Sequence, residues 1–445
     1  MQSLMRSSQK RRSTIMHNVV ARLSGLSVDS AAGQTLKGIY SICSAHPWVL
    51  GAAMKQALDD GTPLLIESTS NQVDQFGGYT GMRPADFVRF VHLIADRVGF
   101  SRDRLILGGD HLGPNAWRGL SAEEAMQRAE ALIDAYVAAG FSKIHLDTSM
   151  SCGGDPARLS DSVVAERASR LCAVAETAAL REGKATKPVY VIGTEVPVPG
   201  GASEELESVE VTRWEAALDT VAVHRDAWRE RGLDEAWERV IALVVQPGVE
   251  FDHTKVIDYK PDLATKLSNV LAQLPGMVFE AHSTDYQKPE ALRQLVRDGF
   301  GILKVGPGVT FALREALHAL ADIEAEVVAE SERSKLREVV EAVMLDKPGN
   351  WEKYYHGDDD EKRLLRTYSY SDRVRYYWAD PEVEAAAQKL INNLTAISIP
   401  ENLLSRYLPA QYWQLRRGVI DGSPMSIIQS KVREVVGVYA SACRT

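Results

Sequence analysis

Residues 104–117, RLILGGDHLGPNAW, begin as an apolar run and end in a Gly-Pro turn, with Asp110 and His111 at the junction. A short apolar run bounded by turn residues reads as a buried strand. Seven other stretches share this form: KGIYSICS (37–44), PLLIEST (63–69), KIHLDTS (143–149), VYVIGTEV (189–196), IALVVQPG (241–248), MVFEAHST (277–284) and ILKVGPGV (302–309). Between them lie segments such as 122–139, where apolar residues recur every three or four positions and charges take the other face. Strand and helix alternating eight times, with strands apolar on both faces, is the pattern of a (β/α)8 barrel. A doubly wound sheet also explains the alternation, but it calls for a phosphate-binding Gly-rich turn after the first strand. SICSAHPW (41–48) has none.

The barrel is expected over 21–330. Segment 323–345 reads as one long charged helix, KPGNW (347–351) as a break, and 381–395 and 424–440 as further helices. Residues 331–445 are therefore expected to form a helical C-terminal extension. Residues 1–20 are expected to be a disordered tail; the basic, Ser-rich start also fits a transit peptide, or translation begins at Met16.

Composition narrows the function. The 445 residues are 45% hydrophobic and 25% charged, which supports a sizeable core. The net charge is -9 and the basic residues form no stripe, so nucleic acid is a poor partner. No run reaches the ~18 apolar residues of a membrane span. The four cysteines show no CxxC spacing, which fits a reducing, cytoplasmic setting and leaves no zinc finger.

Polar residues collect at one end of the strands: Glu67, the Asp110-His111 pair, His145 with Asp147, Glu195, Gln246, Glu280 with His282, and the Gly306-Pro307-Gly308 turn. Barrels of this class place catalysis at that end. Burying several carboxylates and imidazoles together costs several kcal/mol unless they pair or bind a cation. Two or three imidazoles with a carboxylate suit zinc or a neighbouring divalent transition metal. The expected ligands are His111, Glu195 and His282, from strands three, five and seven, with His145 in reserve. Asp110 and Asp147 are the expected proton carriers, the other role open to them being to orient a ligating imidazole. Gly306 and Gly308 offer backbone N–H groups to a phosphate, with Ser283 completing the pocket. In SYSDRVRYYW (369–378), Arg373 and Arg375 suit either a lid over a phosphate or a domain interface.

The stretches GIYSICSAHPWVL, ESTSNQVDQFGGYTGM, GGDHLGPNAW, IHLDTSM, GTEVPVPGG, FEAHSTDYQ, LKVGPGVTFALREAL and DRVRYYW resemble the GatZ/KbaZ family of tagatose-bisphosphate aldolase subunits, from about residue 20 to the end. The resemblance implies one of two roles. Some members are non-catalytic partners that stabilise a separate class II aldolase subunit. Others are metal-dependent 4-epimerases interconverting D-tagatose 6-phosphate and D-fructose 6-phosphate, and related sequences epimerise free tagatose or tagaturonate. A tagatose-6-phosphate kinase label also circulates for the family, but no GxxxxGK[ST] loop occurs here. The resemblance also likens the Asp-His pair to that of class II aldolases, in which the His binds zinc and the Asp moves a proton. The expected function is the epimerase, by retro-aldol cleavage and recombination; the alternative is the stabilising subunit. The expected partners are a sugar phosphate, a class II aldolase subunit and further copies of this chain.

Overall fold

The computed structural model describes residues 38–184, 186–194, 202 and 208–444. Eight parallel strands close into a barrel: β1 (Ile39–Ile42), β2 (Leu64–Thr69), β3 (Leu105–Leu112), β4 (Lys143–Leu146), β5 (Val189–Ile192), β6 (Val240–Val244), β7 (Val278–Ala281) and β8 (Ile302–Val305). Each falls within or overlaps one of the eight apolar runs. The expected tail over 1–20 lies outside the described residues.

Alternation along the strands grades the barrel interior from apolar to ionic. Ile39, Leu65, Ile106, Val189, Val191, Val278 and Ile302 belong to an inner apolar cluster. Two residues further along the same inward faces stand Ser41, Glu67, Gly108, Glu280 and Lys304, buried like the apolar layer beneath them. Lys143 Nζ bridges Glu67 Oε1 at 2.8 Å and Glu280 Oε2 at 2.7 Å, with all three side chains fully buried. Gly108 lies in register between Glu67 and Lys143. A Cβ there would stand 2.5 Å from Glu67 Oε1, so the glycine leaves the passage across β3 through which these charges meet.

The helices after β1, β2, β3 and β7 are α1 (Pro47–Asp60), α2 (Pro84–Val98), α3 (Ala122–Ala139) and, completing those used below, α4 (Pro289–Arg297). α3 has a Ser121/Glu124 capping box at its start and a left-handed Gly140 at its end, which explains why the 122–139 periodicity gives its limits. The expected helix over 323–345 is instead two: α5 (Pro307–Val327), which follows β8, and α6 (Leu336–Asp346). They part where Glu324 draws in the backbone N–H of Ser334 at 3.0 Å and Lys335 turns left-handed at φ 52°.

Beyond residue 330 the described chain is helical. Its last helix, α7 (Pro424–Cys443), packs against α1, α4, α5 and β1, so the C-terminal segment completes the ring of helices around the barrel. Among the described residues no helix is long and apolar enough to cross a membrane.

Candidate active site

The Asp-His pair is explained by a break in the strand. Consecutive strand residues face opposite ways, yet Asp110 and His111 are both buried on the rim of the barrel. The register between β3 and β4 shifts between Gly109 and Leu112, and His111 adopts a left-handed φ of 49°. That irregularity turns two neighbouring side chains into one site. The chain leaves through Gly113, where a Cβ would meet the Asp147 carbonyl oxygen at 1.6 Å.

Three imidazoles meet there. Ring centroids of His111 and His282 are 4.8 Å apart, those of His111 and His145 5.2 Å, and those of His145 and His282 5.4 Å. His111 Nδ1 lies 2.8 Å from Asp147 Oδ2, and an ionised carboxylate only accepts, so Nδ1 carries the proton. By the same reasoning His282 Nε2 donates to Glu280 Oε1 at 3.1 Å. The nitrogens left over, His111 Nε2 and His282 Nδ1, face each other at 3.2 Å. Two bare lone pairs repel at that distance unless a proton or a cation lies between them. Nitrogens ligating one tetrahedral zinc at 2.0–2.1 Å stand about 3.3 Å apart, which this pair matches.

His145 supplies a second sign. Its Nδ1 is 2.9 Å from Asp110 Oδ1, and its buried Nε2 has no hydrogen-bond partner. One donor atom from each of Asp110, His145, Glu280 and His282 lies within 4.8 Å of the others. This donor set could hold a divalent ion, with His282 from the expected ligands and Asp110, His145 and Glu280 beside it, while His111 joins through its 3.2 Å approach to His282. Glu195 lies outside the described residues.

Charge around the cluster is nearly balanced. Lys304 Nζ, from β8, contacts Glu67 Oε2, Asp110 Oδ1 at 3.0 Å and Glu280 Oε1 at 3.7 Å. Burial works against ionising Asp110, but Lys304, His111 and His282 hold its carboxyl well below the usual range. Burial also opposes charge on His111; Asp110 and Asp147 outweigh it and raise the pKa. Burial dominates at His282 and lowers it to about 4, leaving a neutral, metal-competent ring.

Asp147 is held by two partners. Its Oδ2 holds His111, and its Oδ1 accepts from the Ser149 hydroxyl at 2.7 Å and the Ser149 backbone N–H at 3.2 Å. Both oxygens are committed and the side chain lies outside the cavity lining, a geometry suited to orienting the His111 ring. Asp147→Asn is expected to weaken metal affinity about 10–100-fold, read by metal titration of the purified protein.

The expected phosphate donors are also engaged. The N–H groups of Gly306 and Gly308 both donate to Asp285 Oδ1, at 2.9 and 2.7 Å. Burial raises Asp285 to about 6, these two bonds opposing it. Ser283 lines the cavity and is left-handed at φ 53°. Glu250, buried on the rim, is pushed up to about 7 by desolvation. Its folded pKa exceeds the unfolded one, so its contribution is full below pH ~4.5 and is lost as pH rises through ~7. Glu250→Gln is expected to stabilise the protein by up to about 3 kcal/mol at pH 8 and not at pH 4, read from denaturant midpoints.

Two lysines are absent from the expected site, Lys143 and Lys304. The available signal was a lysine inside an apolar run, at the inward parity of its strand. The cavity is further lined by Cys43, Gln72, Tyr79 and Phe251, and by Arg375 and Tyr376 from the C-terminal region.

The (β/α)8 barrel thus gathers imidazoles, carboxylates and a buried lysine at its C-terminal rim, in a cluster that could hold a metal ion. The chain belongs to the GatZ/KbaZ family: residues 25–444 match the family described as D-tagatose-1,6-bisphosphate aldolase subunit GatZ/KbaZ-like. It is similar over 92% of its length to the whole of a probable tagatose 6 phosphate kinase from Sinorhizobium meliloti 1021, at 52% identity and a TM-score of 0.85. Fructose-bisphosphate aldolase from Campylobacter jejuni matches more distantly, at 11% identity and a TM-score of 0.43 over 85% of this chain and 91% of its own. The YdjI aldolase from Escherichia coli K12 gives 10% and 0.41, over 84% and 94%.

Proposed function

We propose that the protein is a metal-dependent 4-epimerase that interconverts D-tagatose 6-phosphate and D-fructose 6-phosphate by breaking and remaking the C3–C4 bond. The observation that carries this reading is the facing pair of His111 Nε2 and His282 Nδ1 at 3.2 Å, each ring fixed through its other nitrogen by a carboxylate. A divalent ion, zinc or a neighbour, would be held by His111 and His282 with His145, Glu280 and Glu195 as further donors, and would supply Lewis-acid polarisation of a carbonyl oxygen.

The chain's own side chains do the proton work. Asp110, kept ionised beside Lys304, takes the C4 hydroxyl proton as the C3–C4 bond breaks. The aldehyde half turns and recombines on its other face, where a proton must be returned to the C4 oxygen. Tyr376 lines the same cavity; burial opposes ionisation of its phenol, but Arg375 and Arg373 pull the pKa below its ordinary value. It takes the place of Asp147 as the second carrier. Tyr79, packed edge-on to Tyr376 at 4.8 Å, and Phe251 help exclude water while the halves are apart.

The rival reading, a non-catalytic stabilising subunit of a class II D-tagatose-1,6-bisphosphate aldolase, draws on the word subunit in the family description. It gives no reason for Lys304, His111 and His282 to converge on a rim cavity. A P-loop route to phosphoryl transfer is closed, since the sequence holds no GxxxxGK[ST] loop. The test is the purified chain alone with a divalent metal and D-tagatose 6-phosphate. D-Fructose 6-phosphate is expected to form, and EDTA to abolish it. No product under metal-replete conditions favours the scaffold.

A further inference from the structure

The site needs a place for a sugar's anionic group, and the structure closes the usual one. The start of the helix after β8 is where barrels of this class bind phosphate on backbone N–H groups. Here the Gly306 and Gly308 N–H groups converge on one oxygen of Asp285, a carboxylate supplied by the chain itself. A phosphate there would have to expel a buried carboxylate, and it cannot share the donors with it because both are acceptors.

Among the described residues one lysine or arginine of the cavity is left for such a group. The described lining contains two, Lys304 and Arg375. Lys304 is taken up by Glu67, Asp110 and Glu280. Arg375 forms no ion pair with a described carboxylate; its Nη1 donates to the Ser371 and Asp372 carbonyls, and its Nη2 to the Tyr376 hydroxyl at 2.9 Å. Asp372, the nearest acid in sequence, faces Arg314 at 3.3 Å and accepts from the Thr310 hydroxyl. The guanidinium is thus held in place by neutral acceptors with no carboxylate in direct contact, although Asp372 and Asp285 act on it through space, and it stands beside Tyr79 and Tyr376 in the cavity wall. A planar fork with spare donors is the group that recognises phosphate bidentately.

We propose that Arg375, brought over the barrel by the helical C-terminal region, holds the phosphate of the substrate, while Asp285 bars it from the glycine pair at the start of α5. The proposal deepens the epimerase reading by assigning the substrate's charged end. It makes Arg375 and Asp285 two specificity determinants in the lining of one cavity.

Inorganic phosphate is the probe, titrated calorimetrically into the full-length chain, so the result does not depend on turnover. Arg375→Gln is expected to weaken phosphate binding about tenfold or more. Asp285→Asn, which keeps an acceptor for the two N–H groups, is expected to bind phosphate at least as well as the parent. Asp285→Gly, which frees them, is expected to add a second phosphate site that survives in the double variant with Arg375→Gln. Should Arg375→Gln not fold, Arg375→Lys is expected to weaken binding several-fold, since an ammonium cannot replace the fork. Unchanged affinity in the folded Arg375 variants, or Asp285→Gly strengthening a single site without adding one, would overturn the assignment. With turnover, the parent's preference for D-tagatose 6-phosphate over D-tagatose in kcat/KM should fall about tenfold in Arg375→Gln. Phosphate held by Arg375 in a protein without turnover would retire the epimerase and keep the anion site.

Discussion

Asp110→Asn is expected to lower kcat on D-tagatose 6-phosphate about 10²–10⁴-fold, the range for loss of a positioned acid-base group. The substitution keeps the shape of the side chain and an oxygen that can accept from His145 Nδ1, now 2.9 Å away. It removes the charge that takes the proton. Lys304 keeps Glu67 and Glu280 as partners, so the ammonium is not stranded. The check is steady-state kinetics beside metal analysis: a kcat collapse with the metal retained is the expected pattern. Activity equal to the parent's would remove Asp110 from the chemistry.

The second large effect is on stability. Lys143→Met is expected to cost about 3–5 kcal/mol, because removing one partner of a buried ion pair leaves the other charge uncompensated. Lys143 Nζ holds Glu67 at 2.8 Å and Glu280 at 2.7 Å in the centre of the barrel, and neither carboxylate can reach water. Lys304 contacts both, which tempers the loss but places three carboxylates on one ammonium. The measurement is a urea unfolding midpoint. Adding Glu67→Gln to Lys143→Met should restore part of the loss, a non-additive pairing that a lysine acting only by packing would not give.

The architecture was readable because strand patterning is local. Each of the eight apolar runs contains or overlaps a barrel strand, and α3 and the helix Pro381–Thr395 fall where the 3.6-residue period put them. The break between α5 and α6 was not readable, since charged periodicity runs through it and a tertiary contact from Glu324 to Ser334 makes it. The meeting of His111 with His282 followed from both standing at strand ends, but the turn that lets Asp110 and His111 share a face depends on a register shift between strands. Lys143 and Lys304 were overlooked because a lysine within a strand is ordinarily solvent-facing; only closure of the barrel reveals carboxylates opposite them. The occupation of Gly306 and Gly308 by Asp285 joins residues 21 and 23 positions apart, and spacing says nothing of which acceptor arrives first.

The position of α7 bears on how the molecule is made. Tyr439 on this helix donates to the Thr284 carbonyl at 2.6 Å, beside the rim, and the helix covers β1 between α1 and α4. The earliest strand thus waits for the final stretch of the polypeptide. While the chain is still emerging from the ribosome, that flank stays bare, and a nascent protein stalled or clipped before residue 424 would present an apolar seam to chaperones and to its neighbours.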